Sequence, residues 1–444
     1  MPRPGSAATA RPQRVLAVAY GGGHVAMLLP VLDELRRRRP HLQLQLLALT
    51  TARRAALEAG WQPLGYESLL HLLQPAEREL ALTLGRELQA GNTHPDVPES
   101  ETLAYLGINA WSLQRQLGPG EAARVLEQRG RQGFFPLEFM RRVLRALRPD
   151  LVLATNSPRS EHAALEAARL DDIPGVAVLD LFAQPGDPFA ARSGRPTRVC
   201  VLADAVRDNL LAAGWEPERI AVTGNPAFDA LHQPRAHEQA RRLRLDWAQR
   251  WGRDPGKLVL LATQPEPRAH PASRWPAGDA LPLAMEAAAR AWVLQRAQAS
   301  LVVRHHPNHW HRAPRAEDTA QVRFSVATQE PVEGLVLAAD AVVVQSTTVG
   351  LQAAVAGRPV LSLQGSPGAL WGLDYAALGV ARGVPTLDDL PQALDRTLAE
   401  PPAPTRWARR QAAAPAVAEQ IEQLLDRRAP ARPSAESAAP AASD

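Results

Sequence analysis

Three features of the sequence predict an α/β protein of two Rossmann-like, doubly wound domains facing a cleft, the first with a helical insertion. Short β-rich runs alternate with helical patterns along most of the 444 residues. The runs are nearly continuous in apolar residues, as strands buried on both faces of a parallel sheet must be. At roughly 100 to 200 residues per domain, the length accommodates two or three domains, and strand–helix–strand order makes them doubly wound.

The first-half strands are read in RVLAVAY (14–20), LQLQLLAL (42–49), LVLAT (151–155), GVAVLD (175–180), RVCVLA (198–203) and IAVTG (220–224). The second half supplies KLVLLAT (257–263), SLVVRH (300–305), VRFSVA (322–327), AVVVQS (341–346) and PVLSL (359–363). Helices are predicted over 25–38, 161–170, 205–213, 281–297 and 349–356. The strand rhythm breaks in GNPAFDALHQPRAHEQARRLRLDWAQRWGRDPGK, a polar, Arg-rich helix closed by a Pro/Gly turn, so the domain boundary is set there. The expected plan is a disordered start (1–12), a first domain (13–225) with its insertion at about 68–148, a second domain (226–427), and an Ala/Pro/Ser-rich disordered tail (428–444).

Composition narrows the class. Hydrophobic residues make up 45% and charged residues 22%, the balance of an ordinary globular chain. No apolar run reaches the roughly 18 residues of a membrane span. The start, MPRPGSAATARPQR, lacks the apolar core of a secretory signal, so a cytoplasmic protein is expected. The single cysteine, Cys200, allows no internal disulfide and reads as a small buried hydrophobe. The arginines are spread out and matched by almost as many acids, giving a formal charge of +4, which argues against a nucleic-acid surface. The run Arg36–Arg39 closes a predicted helix, where cations complement the dipole; an anionic membrane surface would attract it too.

In open α/β sheets ligands bind beyond the carboxyl ends of the strands. After the first strand, YGGGHVAMLLP turns on Gly21, Gly22 and Gly23 and places His24 at a helix start, suited to a ligand-facing loop with a histidine base. After the third, TNSPRSE offers Asn156, Arg159 and Glu161 to a ligand, while Ser157 and Pro158 cap the helix. Asp180 follows the fourth strand as a second candidate base. Gly224, Asn225 and Pro226 read as a hinge. In the second half Gln264 ends the first strand.

Four of the 12 histidines fall within SLVVRHHPNHWHR. Zinc, a wet loop and an anion site compete for it. No cysteine lies nearby, and Pro307 breaks the helical spacing a zinc motif needs. Arg304 and His306 fit an anion site better. Forty residues on, a buried strand ends at Ser346, Thr347 and Thr348 and a helix opens through Gly350, a cluster of hydroxyls and N–H groups that suits phosphate.

These residues resemble the two-domain glycosyltransferase fold called GT-B, shared with UDP-N-acetylglucosamine 2-epimerases. GGGH at Gly21–His24 resembles the glycine loop of bacterial lipid-linked N-acetylglucosaminyltransferases. VTGNPAFDAL resembles the inter-domain segment of the epimerases, and ADAVVVQSTTVGLQAAVAGRPVL the donor-phosphate unit of the fold. His306-Pro307 with Ser346-Thr347 is similar to transferases of capsule and teichoic acid that use CMP- or CDP-linked donors. The acidic residue usual in the donor helix is Gln352 here, and the epimerase stretches H-x-E-A-G and H-R-x-E-N are absent.

The resemblance implies a metal-independent glycosyltransferase of cell-envelope or surface-polysaccharide synthesis. Its donor is a nucleotide-sugar, its acceptor a glycan, lipid or small molecule, and no cofactor is expected beyond the nucleotide-sugar substrate. Gly22, Gly23, Gln264, Arg304, His306, Ser346, Thr347, Thr348, Gly350 and Gln352 would bind the donor, and Asn156, Arg159 and Glu161 the acceptor. His24, or else Asp180, would be the base. Nucleic acid is not expected as a partner; a peripheral contact with the inner membrane and a homodimer are compatible with the resemblance. The alternatives are a UDP-sugar epimerase or hydrolase of the same fold, a transferase that uses a CMP- or CDP-linked donor, and a non-catalytic GT-B scaffold.

Overall fold

The computed structural model describes residues 11–180, 182–306, 318–327, 329–400, 407–408 and 411–428. Pro307, His309 and His311, with most of the expected disordered start and tail, lie outside these residues. Arg11, assigned to that start, is bonded: its guanidinium donates to the Arg148 carbonyl at 3.1 Å and to Asp150 at 2.8 Å.

Two six-stranded sheets form the molecule, and every strand pair in them is parallel. The first contains β1 (Arg14–Tyr20), β2 (Gln43–Leu49), β3 (Leu151–Thr155), β4 (Gly175–Val178), β5 (Arg198–Val201) and β6 (Ile220–Val222) in the order β2-β1-β3-β4-β5-β6. The second contains β7 (Lys257–Thr263), β8 (Ala299–His305), β9 (Val322–Ser325), β10 (Ala341–Val344), β11 (Val360–Leu363) and β12 (Arg382–Val384) in the order β12-β11-β10-β7-β8-β9. The chain reverses direction across the sheet between β1 and β3, and again between β7 and β10. Ligand crevices form at such reversals. Several predicted strands stop two residues early because the backbone leaves the sheet at the carboxyl end. β12 is absent from the sequence reading; three residues with a central glycine carry too little pattern.

Both faces of each sheet are covered. On one face of the first sheet, Val15 and Ala17 pack with Val25, Leu28 and Leu32 of the helix Gly22–Arg38. On the other, Leu16 and Val18 meet the helical insertion through Tyr66, Tyr105 and Phe139. Val259 and Leu261 of the second sheet pack on Met285 and Trp292 of the helix Ala280–Leu294.

One boundary is corrected. The terminal helix Ala414–Arg428, assigned to the second domain, packs on the first: Val417, Ile421 and Leu425 join the cluster around Val15 and Leu28. Arg38 pairs with Glu422 at 2.7 Å and Arg39 with Asp426 at 2.6 Å, so this part of the basic run clamps the returning chain. The sequence hid this return because strand order says nothing of where a terminal amphipathic helix docks.

Candidate active site at two facing strand ends

Gly21 takes φ 85°, a conformation that only glycine adopts without strain, and this lets the chain leave β1 and enter the helix Gly22–Arg38 within one residue. His24 therefore stands in the first helical turn, against the end of β3. Its Nδ1 lies 3.1 Å from Glu161 Oε2 and 2.7 Å from the Thr155 hydroxyl. Its Nε2 lies 3.9 Å from Asp180 Oδ2. The imidazole is 26% exposed and Glu161 is fully buried, so only the Nε2 side of the ring is open to a reactant.

Glu161 is held as firmly as it holds. Its oxygens accept the Tyr20 N–H at 2.7 Å and the Ser157 N–H at 3.0 Å. This corrects its assignment as an acceptor contact: Glu161 orients His24 from behind. Burial alone would lower the proton affinity of His24, but the hydrogen bond to Glu161 and the charges of Glu161 and Asp180 outweigh it, and the pKa is raised. Burial raises the Asp180 pKa, against the opposing pull of His24 and of Asn156. Asn156 Oδ1 accepts the Asp180 N–H at 3.3 Å and so positions that loop. The Arg159 guanidinium lies over the Tyr20 ring, 4.0 Å from its centroid.

The second cluster gathers where β7 and β10 end. Gln264 and Gln345 interlock: the Gln345 amide donates to the Gln264 carbonyl at 2.7 Å, and the Gln264 N–H donates to Gln345 Oε1 at 3.2 Å. Gln264 Nε2 also donates to Ser346 Oγ at 3.3 Å. Thr347 caps the helix Thr348–Val355 by accepting the Val349 N–H at 3.1 Å, and Thr348 is exposed at its start. Sequence reasoning missed Gln345 and Glu266. Glu266, 2% exposed, accepts the Gly368 N–H at 2.9 Å and ties the loop after β11 to the strand ends. A polar residue closing an apolar strand was the available signal for Gln345.

Three expected donor contacts, Arg304, His306 and Gly350, are placed otherwise. Arg304, expected to bind the donor together with Ser346–Thr348, stands apart from them because β7 lies between β8 and β10. Arg304 and Val344 both pair with Ala262, so they are level yet about 10 Å apart at ordinary strand spacing. The guanidinium turns the other way, donating to Ser325 Oγ at 2.9 Å and the Glu330 carbonyl at 2.8 Å. His305, on the opposite face, contacts Glu286 at 2.9 Å. His306 is half-buried just past β8, on the same side of β7. Gly350 serves packing: a Cβ there would stand 2.8 Å from Val344 and 3.0 Å from Tyr375. Gln352 lies half-buried in the donor helix, its Oε1 without a hydrogen bond. Gly22 and Gly23 stand on the first lobe beside His24, with open space before them.

The two ends meet. Phe182, after β4, packs on Tyr375, beyond β11, with ring centroids 6.1 Å apart. Among the described residues no group of three or more His, Cys, Asp or Glu side chains could hold a metal ion, and no helix is long and apolar enough to cross a membrane.

No protein-family model matches the sequence, and no curated protein does. Solved structures do match. UDP-GlcNAc 2-epimerase from Neisseria meningitidis, bound to UDP-GlcNAc, is 14% identical with a TM-score of 0.54, covering 94% of this chain and 100% of that one. The Methanocaldococcus jannaschii UDP-GlcNAc 2-epimerase is 13% identical with a TM-score of 0.56 over 94% of this chain and 100% of its own. CalG4, the calicheamicin glycosyltransferase, is 17% identical with a TM-score of 0.53, over 95% of this chain and 100% of its own. Two parallel sheets with facing strand ends, matched over nearly the whole chain, give this protein the GT-B fold shared by nucleotide-sugar epimerases and glycosyltransferases.

Proposed function

We propose that the protein is a glycosyltransferase that moves a sugar from a nucleotide-activated donor to a hydroxyl of its acceptor. The observation that carries this reading is His24, backed by buried Glu161 on Nδ1 and open at Nε2 beside Asp180, on the lobe opposite the Ser346–Thr348 helix start. With Nδ1–H directed at a carboxylate, the neutral ring carries its lone pair on Nε2. Nε2 takes the acceptor's hydroxyl proton while the acceptor oxygen bonds to the anomeric carbon. The bond from that carbon to the leaving phosphate oxygen breaks, and its electron pair departs with the nucleotide. The N–H groups at the start of the helix Thr348–Val355 face that developing charge.

The test has two parts. UDP, CDP, CMP and GDP are screened for thermal stabilisation, which a ligand of the native state must produce. The expected result is stabilisation by one nucleotide that Thr348→Glu removes. Release of nucleotide from the matching sugar donor should then fall at least 100-fold in His24→Ala, with donor binding intact. The similar epimerase structures support a second reading. UDP-GlcNAc incubated alone and converted to an epimer would establish it, and undiminished turnover in His24→Ala would overturn the transferase reading.

A further inference from the structure

The carboxyl ends of β1 and β2 border a cavity of about 220 Å³ between the first sheet and the helical insertion. Tyr20 and Tyr105, with ring centroids 5.6 Å apart, form an aromatic wall, and Val97 and Leu106 add an aliphatic one. The inner polar groups Thr51, Thr102 and Glu101 are engaged, while Thr93, His94 and Arg131 line the exposed mouth. Thr51 Oγ1 accepts the Gly22 N–H at 3.1 Å, and the Thr102 hydroxyl donates to the Pro98 carbonyl at 3.2 Å. Glu101 accepts the N–H groups of Tyr66 at 2.8 Å and Glu67 at 3.0 Å.

The Tyr105 hydroxyl is different. The residue is 2% exposed, and its hydroxyl has the Tyr20 side chain beside it but forms no well-directed hydrogen bond, a costly state for a buried polar group. On the rim, Thr50 is held at φ 56° and ψ −131°, a region that a β-branched residue rarely enters. Such strain collects at ligand sites.

We propose that this cavity is the acceptor subsite and that it takes an uncharged, planar aromatic compound bearing a hydroxyl. The subsite role rests on the transferase reading; the ligand class rests on the lining. The volume lies below the roughly 300–1,000 Å³ of sites for drug-sized ligands, so one ring or a fused pair fits. A pyranose would bring several hydroxyls to inner walls where Thr51, Glu101 and Thr102 are already engaged, and leave some of them unpaired. A cationic ligand would have to compete with the two N–H groups that the buried Glu101 carboxylate already holds, and the Arg131 guanidinium that an anion would seek is exposed at the mouth. Tyr20 and Gly21 line the cavity within four residues of His24, and the Tyr20 N–H bonds the carboxylate that orients it.

The probe is 2-naphthol, with methyl β-glucoside as comparison, followed by titration calorimetry on the full chain. Naphthol should bind and the glucoside should not. Val97→Trp, checked for an unchanged melting temperature, should weaken naphthol binding at least tenfold, and Tyr105→Phe severalfold. No naphthol binding, equal binding to Val97→Trp, or preference for the glucoside overturns the ligand class. Binding that Val97→Trp abolishes, with no naphthyl glycoside formed from any nucleotide-sugar, upholds the ligand class and overturns the transferase reading instead.

Discussion

At the scale of single residues, the arrangement around His24 decides the pH behaviour. Burial works against the charged ring, yet Glu161 and Asp180 prevail and the pKa stands above the ordinary value of ~6.5. A base must be neutral to accept a proton, so the acid limb of kcat/KM should lie above that value and move down in Asp180→Asn, read from the pH profiles of both proteins. Linkage gives the stability effect the opposite slope. A histidine whose pKa rises on folding stabilises the fold fully below ~6.5 and loses that contribution as pH climbs through the raised value. The melting-temperature difference between the wild type and His24→Asn should therefore shrink as pH rises through that window. Glu161→Gln should lower kcat more than it raises KM, because Glu161 touches His24 and not the reactant.

At the scale of elements, two side chains hold segments that the strand pattern leaves loose. Arg304 fastens the end of β8 to β9 and the loop beyond it through Ser325, Ala327 and Glu330. Arg304→Ala strands those acceptors and should cost about 3 kcal/mol of stability, while nucleotide affinity of the folded protein stays unchanged; denaturant unfolding and nucleotide titration separate the two. Asp229, 7% exposed, accepts the N–H groups of Ala413 at 2.6 Å and Ala414 at 2.7 Å and so caps the returning helix. Asp229→Ala should cost about 2 kcal/mol and raise amide exchange first in the helix Ala414–Arg428.

At the scale of the whole molecule, the lobes are joined behind the crevice by aromatic packing. Phe182 of the first lobe meets Tyr375 of the second and lies 5.7 Å, edge to face, from Trp407 on the path back to the terminal helix. All three are buried. Phe182→Ala should cost about 3–5 kcal/mol by the removal of a core aromatic. The lobes should also melt as separate transitions in calorimetry, since the same ring couples them.

Continuous apolar runs made the two parallel sheets legible, because a strand covered on both faces has no polar face to show. GGGH after β1 and STT after β10 marked the ligand ends, because tight turns and helix starts demand those residue types. Partnership was not legible. Arg304 and Ser346 each end a buried strand, and only the sheet order shows β7 between them. Glu161 reads as a free carboxylate 137 positions from His24, and only the fold closes that separation to 3.1 Å. Local chemistry is written residue by residue, whereas the pairing of distant side chains follows from strand order and helix docking, which depend on the packing of the whole chain.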